Sequence, residues 1–203
     1  MDTVLVSDVT MWQLLSAVAL AVALAACAGL RALLPILLTG LVARMGWLAL
    51  GKPFAFLSTN WALLLFGIAT VLEILGDKIP AVDHALDTVH TILRPLAGSM
   101  LAAAALSSVS DPATSIALGI ILGAPTALVP HAAKATARVI STATTGGLAN
   151  PVISLLEDVG ALVLFVFAVV VPVVVAALMA ILTILVLRRL LRRRPTRANA
   201  VTA

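Results

Sequence analysis

Apolar residues in this chain come in long continuous runs, not at alternate positions. The first run covers about residues 11–30. At about 20 residues it is long enough to cross a bilayer as a helix. Residues 32–43 are again mostly apolar but are interrupted by Pro35 and Gly40, and Arg44, Gly46, Gly51, Lys52 and Pro53 mark an exit to the interface. Trp47 and Trp61 suit the headgroup level, where aromatic rings anchor a span. Residues 60–76 predict a second span opened by an Asn60 cap. Pro95 opens a short apolar run to Leu106, SSVSDP at 107–112 reads as a turn, and 113–130 predict another span broken by Gly119, Gly123, Pro125 and Pro130. The last run, 152–187, would be about 54 Å long as one helix at 1.5 Å per residue. It exceeds a bilayer core of about 30 Å, so it must start outside the membrane, bend at Pro172 or re-enter.

Two stretches break this pattern. In residues 77–94, DKIPAVDHALDTVHTILR, the apolar positions Val82, Leu86, Val89 and Leu93 recur at helical spacing, which predicts an amphipathic helix. After Pro130 a polar helix carries His131, Lys134, Thr136 and Arg138. STATTGGLANP at 141–151 reads as a Gly-rich turn with an Asn-Pro helix start; it lacks the spacing and the lysine of a nucleotide-binding loop.

Composition turns this pattern into a fold class. Apolar residues make up 62% of the 203 and charged residues 11%, against about 45–50% and about 25% in soluble domains. There is too little polar surface to coat a water-soluble globule. In lipid the backbone must pair within the chain, which leaves helices or a closed barrel. Runs rich in Ala and Leu, without alternation, select helices. The expected fold is all-α: one polytopic transmembrane bundle over residues 1–187, with five or six membrane segments and Pro/Gly-broken helices, followed by a basic tail at 188–203. The bilayer is the first partner. Gly119 and Gly123, four apart, allow close helix packing, either within the chain or in a homo-oligomer.

The formal charge of +4 does not point to nucleic acid. Six of the 13 basic residues lie in the tail, Arg188, Arg189, Arg192, Arg193, Arg194 and Arg197, which leaves seven against nine acidic residues elsewhere. The tail directly follows an apolar run and places the C-terminus in the cytoplasm of a multi-pass plasma-membrane protein. It also suits anionic lipid headgroups. Cys27 is the only cysteine, so no internal disulfide forms.

The remaining charges are few and clustered: Glu73, Asp77, Asp83, Asp87, Glu157 and Asp158 against Arg31, Lys78, Arg94, Lys134 and Arg138. Charge at membrane depth is expensive unless paired or wet, so each member needs a structural or functional reason. Glu73 and Asp77 share a helix face. Asp83, Asp87 and His90, at i, i+4 and i+7, form a face that can bind a divalent cation or pass protons; the alternative is the wet side of an interfacial helix. His131, Lys134 and Arg138 form a basic face that either pairs with the acids or holds an anion. No nucleophile motif, paired-Cys zinc motif or His-Glu-x-x-His is present, so the sequence indicates neither an enzyme nor a cofactor.

One internal similarity stands out. Arg31-Ala32-Leu33-Leu34-Pro35 matches Thr126-Ala127-Leu128-Val129-Pro130 at three of five positions, as in transporters built from two related halves. Taken together, ACAGLRALLP, LEILGDKIPAVDHALDTVHTILRPLAG, HAAKATAR and TTGGLANPVISLLED resemble a bacterial membrane family, domain of unknown function 4126, over about residues 20–175. That resemblance implies an integral membrane protein and supplies no activity. More loosely, Glu73-Ile74-Leu75-Gly76-Asp77-Lys78 resembles the Glu-x-Gly-Asp-Lys/Arg motif of calcium and manganese cation/proton exchangers, with one more residue between Glu73 and Gly76. The second half offers Glu157-Asp158 alone.

The expected function is transport or channelling of a small solute, a cation coupled to protons. Glu73, Asp77, Glu157 and Asp158 would form the polar pathway, Asp83, Asp87 and His90 a metal site, and Arg31, His131, Lys134 and Arg138 the counter-charges or gates. The alternative is a non-transporting scaffold or accessory subunit whose intramembrane charges are structural salt links. Pairing discriminates the two: a base on every acid favours the scaffold, whereas unpaired acids converging on a cavity favour transport. On topology, fluorescent protein fused after the basic tail is expected to fluoresce and alkaline phosphatase fused there to stay inactive; the reverse pair of results would place the tail outside.

Overall fold

The structure is a computed structural model that describes residues 10–77, 80–171, 178, 181–186 and 188–189, with the backbone alone for 80–88. The expected metal ligands Asp83 and Asp87, the expected bend at Pro172 and most of the basic tail lie outside the described residues. Helix α1 is Met11–Leu30, α2 Leu34–Arg44, α3 Asn60–Gly76, α4 Pro80–Leu106, α5 Pro112–Leu118, α6 Ala124–Thr145 and α7 Asn150–Val170. A 3-10 helix, Lys52–Ser58, precedes α3, and a π-helical segment, Gly119–Gly123, joins α5 to α6. Among the described residues four helices are long and apolar enough to cross a membrane, or five if the 3-10 helix and α3, bent by 64°, count as one span. The protein is an all-α, multi-pass membrane bundle.

Local chemistry sets the helix ends. Thr10 and Gln13 form a reciprocal capping box at the start of α1. The cap of α3 is Thr59 and not Asn60: the Thr59 hydroxyl accepts from the Ala62 amide at 3.3 Å, and the Asn60 side chain accepts from Arg44. Asp111 caps α5 through the Ala113 and Thr114 amides, both at 3.1 Å. The Thr114 side chain and these amides hold the Asp111 carboxyl below the usual carboxylate range. Gly146 and Gly147, both at positive φ, turn the chain from α6 into α7.

Two expected breaks are absent. The amphipathic stretch and the apolar run after Pro95 form one helix, α4, and the polar stretch after Pro130 continues α6. In a bundle, neighbouring helices and local π adjustments re-satisfy the backbone groups that proline frees. The π segment lies just before Pro125 and Pro130. Within the last long run α7 stops at Val170, and Val171 is non-helical (φ −135°, ψ 63°).

Helix α1 is the axis of the bundle. Residues 23–29 of α1 are buried on every face, and α4, α6, α7 and the π segment all pack against it. The contacts depend on missing side chains. A Cβ on Gly29 would lie 2.2 Å from the Ala127 carbonyl oxygen, and one on Gly123 would lie 2.3 Å from that of Gly98. Gly119 packs equally tightly on Ser99 and Ala103, so the partner of the Gly119/Gly123 face is α4 of the same chain. By contrast α2, the 3-10 helix and α3 pack chiefly on one another, and α3 buries only Ala62, Thr70, Glu73 and Gly76.

This difference predicts opposite responses to the same substitution. Gly123→Ala forces backbone against backbone and is expected to destabilise by about 1–3 kcal/mol. Gly67→Ala, with no atom nearer than 4.0 Å to the new Cβ, is expected to stabilise by about 0.5–1 kcal/mol. Thermal unfolding of both variants in one detergent checks the pair.

Candidate functional site

A buried non-helical joint follows the first span. Helix α1 stops at Leu30, Arg31 is extended (φ −132°, ψ 125°), and α2 begins at Leu34 with Pro35 in its first turn. The amides ahead of a helix have no partner within it, and inside a bundle no bulk water replaces one. Glu73 of α3 meets this need: Oε1 accepts from the Ala32 amide at 2.8 Å and Oε2 from the Leu33 amide at 3.0 Å. A carboxylate there also faces the positive end of α2.

One turn further along α3, Asp77 brings the charges together. Its Oδ2 lies 2.5 Å from Arg31 and 3.4 Å from both Lys134 and Arg138 of α6. Arg31, fully buried, also meets Asp158 of α7 at 2.5 Å, and it donates to the Ser154 hydroxyl at 3.0 Å. Glu157 of α7 lies 2.7 Å from Lys134 and 3.5 Å from Arg138. Helix α4 contributes His90, whose Nε2 is 3.6 Å from Glu73, and Arg94, which lies 2.5 Å from Nδ1 of His131. A guanidinium only donates, so His131 Nδ1 is the acceptor.

Helical spacing explains how each helix presents its charges. The buried stripe of α6 runs Ala127, Pro130, Lys134, Arg138, Ser141, and that of α7 runs Ser154, Glu157, Ala161, Phe165, Ala168. Each stripe steps by three or four residues, so one polar layer is set into inward faces that are otherwise apolar. In that layer four carboxylates (Glu73, Asp77, Glu157, Asp158) stand against four basic side chains (Arg31, Arg94, Lys134, Arg138). Among the described residues four buried carboxylate oxygens accept no hydrogen bond; Glu157 Oε2 and Asp158 Oδ1 are in ion pairs, whereas Asp77 Oδ1 and Glu157 Oε1 face no base at ion-pair distance.

The residues expected to form the polar pathway (Glu73, Asp77, Glu157, Asp158) and the counter-charges (Arg31, Lys134, Arg138) all meet here, and His131 joins through Arg94. Of the expected metal trio, His90 faces Glu73, while the side chains of Asp83 and Asp87 are outside the described residues. Among the described residues no group of three His, Cys, Asp or Glu side chains is arranged to hold a metal ion. Sequence reasoning missed Ser154 and the two joint amides. Ser154 had a readable signal, since it lies one turn before Glu157 and Asp158 on the same face. The amides had none.

The pairing yields a quantitative expectation. Lys134→Met leaves Glu157 with only the longer contact to Arg138 and is expected to destabilise by about 3–5 kcal/mol. Adding Glu157→Gln removes the stranded charge and is expected to restore part of the loss, with a coupling of about 0.5–3 kcal/mol in a double-mutant cycle measured by thermal unfolding. Additive losses would mean that the two residues do not pair.

No curated protein and no solved structure matches the chain. A family model described as a domain of unknown function (DUF4126) matches residues 18–193, a span that contains every member of the network. The chain therefore belongs to the DUF4126 family.

Proposed function

We propose that this protein carries a small solute across the membrane, coupled to protons, with the buried charge network as its working centre. The observation that carries the proposal is the convergence of charges on a buried non-helical joint between α1 and α2. Helix ends exposed by irregular backbone bind the polar groups of solutes in secondary transporters, and irregular backbone away from water is tolerated where it is buried in protein or lines a cavity. Here the joint lies at Arg31–Leu33, where α3, α6 and α7 bring in their charges. The two unbonded oxygens on Asp77 and Glu157 are available to a proton or to a polar solute. In this reading protonation of Glu157 releases Lys134, and the network rearranges as the solute binds and leaves. That the solute is a cation rests on the looser likeness of residues 73–78 to cation/proton exchangers.

The second reading, a scaffold with structural salt links, is favoured by the pairing itself: Asp77, Glu157 and Asp158 each meet at least one base, and Glu73 holds two amides. The meeting of those charges at the buried start of α2 favours the carrier, since helix ends of this kind are where secondary transporters hold polar solutes.

The test is flux through purified protein in liposomes loaded with a pH dye, with divalent and monovalent cations offered singly. The wild type is compared with the charge-neutral pair Lys134→Met/Glu157→Gln. The carrier reading expects proton flux that depends on one solute and falls at least tenfold in a variant that still folds. No flux for any solute from a folded wild type would leave the scaffold.

A further inference from the structure

We infer that α2, the 3-10 helix and α3 form one unit that pivots on the core-anchored 3-10 helix, so that its other end swings against the rest of the bundle while the Arg31–Leu33 joint flexes, with Glu73 and Asp77 as its latch. The inference rests on the carrier reading for its purpose, since it supplies that carrier's moving part. Its grounds are structural and separate.

The unit is held together internally. Gly40 of α2 backs onto the Leu57 carbonyl so closely that a Cβ would lie 2.3 Å from that oxygen, and Arg44 of α2 donates to Asn60 of α3. Toward the other helices the attachment differs at its two ends. At the 3-10 helix, Phe54 and Leu57 enter the apolar core, and the preceding Gly51 amide donates to the Ser107 hydroxyl at 2.9 Å. At the far end of α3 the attachment is polar. Glu73 bonds the joint amides and faces His90, and Asp77 meets Arg31, Lys134 and Arg138. Along most of its length α3 turns large apolar side chains outward, with Leu65 at 64% and Leu72 at 63% exposure. An apolar groove of about 500 Å³ lies between α2 and α3, with Gly67 in its wall.

The rest of the bundle lacks this freedom. Helices α1, α4 and α6 meet at glycine and alanine contacts where no atom can be added, and such packing does not deform by degrees. A hinge needs a few residues at element ends that absorb a change in backbone angles. Arg31–Leu33, outside any helix, is such a place. Glu73 fixes the joint in its present shape through two consecutive amides. It is therefore a positioning residue, acting on the angle between α1 and α2.

Thr70, 4% exposed on the inward side of α3, reports whether that helix lifts away. Ala104, fully buried in α4, reports general loosening. Cys27 is replaced by alanine, and Thr70→Cys or Ala104→Cys is introduced singly, each with and without Glu73→Gln. Reaction with a membrane-permeant maleimide is followed in liposomes. The expected result is that Glu73→Gln speeds labelling at Thr70→Cys at least tenfold and leaves Ala104→Cys unchanged. Equal acceleration at both sites, or none at either, overturns the inference. If Glu73→Gln does not fold, hydrogen exchange on the wild type decides. Amides of α3 are expected to exchange at least tenfold faster than those of Leu101–Leu106, and equal rates overturn it. Labelling and exchange are read without any transported solute. A swinging unit without flux would remove the carrier reading alone, and flux without swinging would remove this inference alone.

Discussion

The amides of Ala32 and Leu33 have no helical partner and lie inside the bundle, so the fold must supply an acceptor at that depth. Much else follows from where that acceptor comes from. A neutral amide side chain offers one accepting oxygen, whereas a carboxylate offers two, and Glu73 uses both. That places the inward face of α3 against the joint. Asp77, four residues on, then points to the same layer, beside Arg31. Two acids on α3 require bases within reach, and α6 supplies Lys134 and Arg138. Those in turn require Glu157 of α7, whose neighbour Asp158 answers Arg31. The network is thus a chain of obligations that starts from two backbone groups.

Small residues make the network reachable. The charges come from α1, α3, α4, α6 and α7, and they meet only because α1 is nearly all alanine and glycine where it ends. Larger side chains at Gly29, Gly98 or Gly123 would hold the helices apart and stretch ion pairs now near 2.5–3.5 Å. A buried ion pair offsets its desolvation only when the geometry is good. Close packing and charge pairing are therefore one requirement, met first by the backbone.

Much of this was legible in the sequence. Continuous apolar runs gave the spans because lipid leaves no other use for them, and charges at helical spacing gave the faces that meet. What was not legible is tertiary. Asn60 looks like a cap by residue type, yet Thr59 is the cap and Asn60 holds Arg44, a choice fixed by where α2 ends. Pro95 and Pro130 read as breaks because the rule for proline assumes an isolated helix, whereas both lie in continuous helices packed by neighbours. The matched stretches show the limit most clearly. At Thr126–Pro130 the chain stays helical, with the Thr126 hydroxyl bonded to the Leu122 carbonyl at 2.6 Å. At Arg31–Leu33 it leaves the helix, and α2 starts only at Leu34. The two segments nonetheless meet, since Gly29 abuts Ala127 and Pro130. Similar strings thus adopt different structures, and the difference lies in the acceptor that Glu73 provides to only one of them.

The balance of the network also constrains any transport through it. Four described carboxylates face four basic side chains, so their formal charges balance without the histidines. Charge added to a neutral, poorly hydrated site is expensive, and several kcal/mol is an ordinary penalty. A carboxylate that already holds a base binds a cation only if the base moves away or loses its proton. Where the base stays in place, an entering cation would be matched by a departing proton, and an entering anion by an arriving one. Pairing that counts against a simple open cation site is, in a carrier, the feature that would enforce coupling. An uncoupled channel has no need of it, and an acid left free in a cavity would not provide it.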